Sequence, residues 1–272
     1  MMSGGDFCEN WKVLGRLSEL LKKHRPGRHD WQLTYIPTSS YGAEREFSEI
    51  VEALNPWGVE KFLFLPLEQN PHPLLLEELW KSDVIFLGWG NTFRLGMALR
   101  QQKIFTKLQE YAARGGILMG LSAGAITMCS SIKMAAVPSF DRDENEVHLD
   151  EWNGLDLVKF HFFPHYDGTL RYDRELLAFS RQENQYILAV PEGNGIVFDD
   201  GQMQVIGEIF SFANGRKSEI KPSLWPKFSS AGRDSKLWKN PLKTTSYILV
   251  DFTKIAHEKF KKGPKSSILG KS

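Results

Sequence analysis

Cysteine is scarce in this chain: 272 residues carry only Cys8 and Cys129. Two distant thiols give neither a disulfide framework nor the paired spacing of a metal site, and they suit a reducing cytosol. An excess of one charge is also missing, with 34 Lys and Arg against 33 Asp and Glu, so nothing global draws the chain to nucleic acid or to an acidic membrane surface. No run of 18 apolar residues occurs, and no basic segment followed by an apolar one opens the sequence. A cytoplasmic protein without membrane, metal or cofactor is therefore expected. No internal repeat is found. What is present is 42% hydrophobic residues, enough for one sizeable α/β core.

Apolar strand-like runs alternate with helical patterns along the first half. Asn10 to His24 places Trp11, Leu14, Leu17, Leu20 and Leu21 on one helical face. Strands are predicted at Trp31 to Pro37, Lys61 to Leu67, Asp83 to Gly88 and Ile117 to Leu121, separated by helices at Arg45 to Leu54, Leu74 to Trp80 and Phe93 to Ala113. Such alternation implies parallel strands covered by helices on both faces. Later pieces are shorter: Leu157 to Phe163, Tyr186 to Val190, Gly195 to Phe198 and Gln202 to Ile209, with "DDG" and "ANG" as hairpin-turn signals. The expected organisation is an α/β unit over 1–221 and a C-terminal extension over 222–272, its last dozen residues disordered. Within that extension "TTSYILVDF" stands out as a segment able to add a strand.

The junction Gly120-Leu121-Ser122-Ala123-Gly124 is a G-x-S-x-G placed where a strand turns into a helix. In that context the motif presents a serine hydroxyl at a strand's end, although a serine there can equally cap the helix. A nucleophilic serine needs a base and a group to orient that base. "FHFFPHYD" offers His165, emerging just after Pro164 closes a strand, whereas His161 lies inside the strand and reads as a buried structural histidine. "AVPEGN" repeats the design and presents Glu192 after Pro191. An oxyanion hole needs two N–H donors. The N–H of Ala123 supplies one, and Gly90 in "FLGWGNTF" can supply the second.

"GWGNTF", then Ser122 of "GLSAGA" 32 residues after Gly90, then "FFPHYD" and "PEGN" resemble the peptidase E or S51 group of serine peptidases, which includes aspartyl dipeptidase and is related to cyanophycinase. The resemblance covers about Ser3 to Lys221. It implies a three-layer α/β/α fold with a mostly parallel sheet, class I glutamine-amidotransferase-like (flavodoxin-like). It also implies Ser122 as nucleophile, His165 as base, Glu192 as orienting acid, and Gly90 with Ala123 as the oxyanion hole of a dipeptidase-like enzyme. A small peptide is the expected partner, and a homodimer stays open.

Departures from the family pattern are visible. Trp89 replaces the middle glycine of a G-G-G-N-T stretch, and Val137 stands where some members carry an Asp, leaving Asp141 and Asp143 as the nearest acids. No strand is read before the first helix. Trp89, Asn91 and Arg171 are the expected substrate-facing residues; Arg171 and Arg174 are the cations that could hold an acidic substrate side chain. Two other readings remain: an esterase, disfavoured because Ser, acid, His is the required chain order and only His257 follows Glu192, and a catalytically impaired binding module.

Overall fold

The computed structural model describes residues 11–38, 42–182, 186–220 and 246–250, the last five as backbone. Its first half follows the apolar periodicity closely: helix α1 (Trp11–His24), strand β1 (Trp31–Ile36), α2 (Ala43–Leu54), β2 (Val59–Phe64), α3 (Pro73–Leu79), β3 (Val84–Leu87), α4 (Thr92–Gln101), α5 (Phe105–Ala113), β4 (Ile117–Leu121) and α6 (Ala123–Met128). The second half adds β5 (His161–Phe163), α7 (Leu170–Gln182), β6 (Ile187–Ala189), β7 (Gly195–Asp199), β8 (Gln202–Ile206), β9 (Ile209–Ala213), β10 (Arg216–Ile220) and β11 (Ser246–Val250).

Seven strands form one sheet in the order β2-β1-β3-β4-β11-β7-β8. Its first five are mutually parallel, and β7 and β8 close it antiparallel. The expected α/β class with a mostly parallel sheet is what the chain forms. A second sheet, β10-β9-β6-β5, holds the remaining strands. Both hairpins use the foreseen turns: Asp200 and Gly201 have φ 49° and 71°, Asn214 and Gly215 have φ 50° and 71°, the doubly positive pattern that matches strand twist.

Strand periodicity sorts the core onto two faces. On one, Leu14, Leu17 and Leu21 of α1 meet Leu33, Phe86 and Met119; on the other, Ile85, Leu87 and Leu118 meet Leu95 and Leu99 of α4. All are buried, and each contributes about 1.5–3 kcal/mol on leaving water. Every residue of β3 and β4 is buried, as strands covered on both sides must be.

Two sequence expectations need correction. The Leu157 to Phe163 run is a strand only over its last three residues, because Val158 forms a lone bridge to Cys129 instead. Gln202 to Ile209 is two strands in different sheets, broken at Gly207, whose φ is 79°. The segment "TTSYILVDF", read as able to add a strand, does so: β11 lies between β4 and β7, pairing Ser246 through Val250 with Ile117 through Leu121. The strand beside β4 is thus supplied from the far end of the chain. The other residues of the 222–272 extension, including the dozen expected to be disordered, lie outside the described residues.

Candidate active site

Ser122 sits between β4 and α6 with φ 49° and ψ −106°. Such a backbone costs about 1–3 kcal/mol and persists where the surroundings enforce it. The flanking glycines supply room: a Cβ on Gly124 would strike the Leu87 carbonyl, and one on Gly120 would lie 2.7 Å from the Ala125 nitrogen. The helix-capping role is not what the hydroxyl does, because it makes no bond to the first turn of α6. Its Oγ is 2.8 Å from Nε2 of His165. His165 follows β5 and Pro164 and is itself held at φ 58°. Glu192 follows β6, and its Oε1 lies 3.9 Å from His165 Nδ1. Both side chains are about one-third exposed, 33% and 31%. With a proton on Nδ1 facing the carboxylate, Nε2 is left to accept from the serine. His161, by contrast, is buried in β5 with its ring edge-on to Phe179.

The loop after β3 is tied down from several directions. The Gly88 carbonyl accepts from Gly124 N–H at 3.0 Å, which fixes it to α6. Thr38 donates its hydroxyl to the Trp89 carbonyl. Asn91 caps α4 by accepting from Arg94 N–H at 3.0 Å, and its amide donates to the Glu144 carbonyl at 2.8 Å. Asp143 accepts from Thr92 N–H at 2.7 Å. Burial raises the Asp143 carboxyl above its ordinary range. A cleft of about 750 Å³ opens over Ser122, His165 and Glu192, with Trp89, Phe140 and Arg171 among its walls. The Arg171 guanidinium lies 3.3 Å from the centre of the Phe140 ring, and the Tyr172 hydroxyl donates to Asp141.

Comparison with known proteins gives this geometry a family. The model of peptidase family S51 matches residues 1–206. The chain belongs to peptidase family S51. It is 25% identical over 202 residues to Peptidase E of Nostoc sp., covering 69% of this chain and 78% of that protein. It is 29% identical over 140 residues to Peptidase E of Salmonella arizonae, covering 47% of this chain and 56% of that protein, so this match spans just over half the length of the relative. A crystal structure of a protein described as a peptidase E from Listeria monocytogenes EGD-e shares the fold at a TM-score of 0.53, with 22% identity over 78% of this chain and 95% of that one. Family S51 is a family of peptide-bond hydrolases. Among the described residues no helix is long and apolar enough to cross a membrane.

Within this S51 chain the sequence-derived candidates separate. Ser122, His165, Glu192, Gly90, Trp89 and Arg171 all line the one cleft, and Ala123 opens α6 directly after the serine. Asn91, expected to face substrate, is not among the residues lining that cleft; its amide bonds to the first turn of α4 and to the Glu144 carbonyl. Near Arg171, the Asp173 carboxylate accepts from the Tyr166 hydroxyl and from Lys217. Sequence reasoning missed Thr38, Phe140 and Tyr172. Thr38 follows the carboxyl end of β1, the edge where ligands gather in open α/β sheets, and that position was the available signal. Phe140 and Tyr172 carried none, since they reach the cleft from separate segments.

Proposed function

We propose that this chain is a serine-type peptidase that hydrolyses short peptides through an acyl-enzyme. The observation that carries the reading is the 2.8 Å pairing of Ser122 Oγ with His165 Nε2 at a strained strand-to-helix turn. Ser122 Oγ attacks the scissile carbonyl while Nε2 takes its proton, then returns it to the leaving amine; water enters by the reverse path. Glu192 holds the imidazolium through Nδ1. The separation of 3.9 Å exceeds a hydrogen bond, and such contacts tighten once substrate is bound. The N–H groups of Gly90 and Ala123 receive the developing oxyanion.

Cleft size supports a dipeptide-scale substrate: about 750 Å³ lies in the range of small-ligand sites. The bulk of Trp89 beside Gly90 further restricts what reaches the serine. Cysteine usage supports a cytosolic setting, and burial pushes the Cys129 thiol up to about 12, which makes it inert. The test is a panel of dipeptides, tripeptides and p-nitrophenyl esters with mass-spectrometric detection of the acyl-enzyme. Turnover of short peptides with an adduct on Ser122 is expected. The long His165–Glu192 contact favours a second reading, a relative that binds peptides without cleaving them. It predicts peptide binding by the folded chain with neither turnover nor adduct.

A further inference from the structure

Thr38 lies just past the end of β1 and is almost fully buried, at 3% exposure. A buried hydroxyl must find a partner, and this one donates to the carbonyl of Trp89. That carbonyl belongs to the same peptide group as the N–H of Gly90. A trans peptide is planar, with C=O and N–H on opposite edges, so fixing one end fixes the direction of the other. Sheet order supplies that direction. Strand β3 is flanked by β1 on one side and β4 on the other, all parallel, so Thr38 and Ser122 emerge on opposite sides of the loop that carries Trp89 and Gly90. With the carbonyl pulled toward β1, the Gly90 N–H faces the serine's side.

We propose that Thr38 is a positioning residue for the oxyanion hole: its hydroxyl sets the Trp89–Gly90 peptide plane so that the Gly90 N–H faces the Ser122 side of the cleft. The proposal rests on the serine-peptidase reading above. Gly90 fits the role for an independent reason. Its φ of 123° belongs to glycine, and a Cβ there would run into the Thr38 hydroxyl, so the two residues are sized to each other. Thr38 touches neither nucleophile nor base among the described contacts and acts on the chemistry only through that plane. Losing an oxyanion donor outright costs about 10²–10³ in turnover. Leaving the donor in place but releasing its orientation costs less, about 10- to 100-fold, the scale of a small misplacement at a reacting centre.

The experiment compares the parent with Thr38→Val, which keeps the shape and removes the hydroxyl, and Thr38→Ser, which keeps the hydroxyl. Two readouts are used: the rate constant for fluorophosphonate labelling of Ser122, and kcat and KM on p-nitrophenyl acetate, with thermal melts alongside. Thr38→Val is expected to lower the labelling rate and kcat together by about 10- to 100-fold with KM within about threefold, and Thr38→Ser to stay within about threefold of the parent. Labelling of Thr38→Val at the parent rate, or Thr38→Ser as slow as Thr38→Val, overturns the proposal. A purely structural role, which also overturns it, would lower the melting temperature and the fraction labelled while leaving the rate of the folded fraction unchanged. If Thr38→Val does not melt cooperatively, Thr38→Ala replaces it under the same criteria. A parent that is never labelled at Ser122 overturns the serine-peptidase reading and this proposal with it, whereas failure confined to the Thr38 variants overturns the proposal alone.

Discussion

Stopping the chain after Ile220 removes β11 and should abolish cooperative folding. Strand β11 is paired on both sides, five residues in parallel register with β4 and four in antiparallel register with β7. Each ladder hydrogen bond contributes about 1 kcal/mol net, and each backbone group left buried and unpaired costs about 1–3 kcal/mol. Losing the strand therefore costs on the order of 5–10 kcal/mol, comparable with the whole stability of a typical domain. It would also open the fully buried strands β4 and β7 along one edge each, an arrangement prone to pairing with other chains. The assay is thermal unfolding by circular dichroism with size-exclusion chromatography, comparing the full chain, a chain stopped after Ile220, a chain stopped after Val250 and Ile248→Pro. Proline in a central strand removes a ladder donor, so Ile248→Pro should behave like the shorter truncation, and the chain stopped after Val250, which keeps β11, separates loss of the strand from loss of the residues after it. A chain ending at Ile220 that melts cooperatively within a few degrees of the full chain would refute the placement of β11 in the sheet.

Four further outcomes are expected. Glu192→Gln should lower kcat at least about 100-fold with little change in KM, because the carboxylate acts on the imidazolium rather than on substrate; if Asp143→Asn is the more damaging change in the same kinetics, the acid is misassigned. Asp143→Asn should instead show in stability. Burial raises this carboxyl in the folded chain, so its ionised form opposes folding at neutral pH, and that cost fades as pH falls through the raised folded value; melts across pH should find the Asn variant more stable near neutrality and its advantage shrinking on acidification. His161→Ala should cost stability while turnover per folded molecule stays within about tenfold, since the ring is core rather than base. If Arg171, in the cleft wall, holds an acidic substrate side chain, Arg171→Ala should erase the difference in kcat/KM between Asp-Leu and Ala-Leu; equal constants in the parent would remove Arg171 from recognition.

Local signals in the sequence reached as far as local physics does. Apolar periodicity placed α1 and β1 through β4 within a few residues, because strands buried on both faces and an amphipathic helix declare themselves in short windows. The turns at Asp200-Gly201 and Asn214-Gly215 were legible for the same reason. What was not legible depends on partners distant in the chain. The central position of β11 is decided by the open edges of β4 and β7, which "SYILV" does not mention. Val158 bridges Cys129 and so leaves β5 shorter than its apolar run. Ser122, His165 and Glu192, which line one cleft, could be singled out as candidates because each follows a strand end with Gly or Pro punctuation. The capping of α4 by Asn91 depends on the turn that "GWGNTF" makes after β3, and the motif alone does not show it. Thr38 and Asp143 anchor the same loop from two other segments, a convergence that spacing cannot show.

The most direct measurement of the central claim is fluorophosphonate labelling of the folded full chain, with the adduct mapped by peptide mass spectrometry. One adduct per chain is expected, on Ser122, absent in Ser122→Ala and formed far more slowly in His165→Ala, because the serine is reactive only while Nε2 accepts its proton across the 2.8 Å contact. A folded chain that takes up no label, labels at another residue, or labels Ser122 equally fast without His165 would contradict the account.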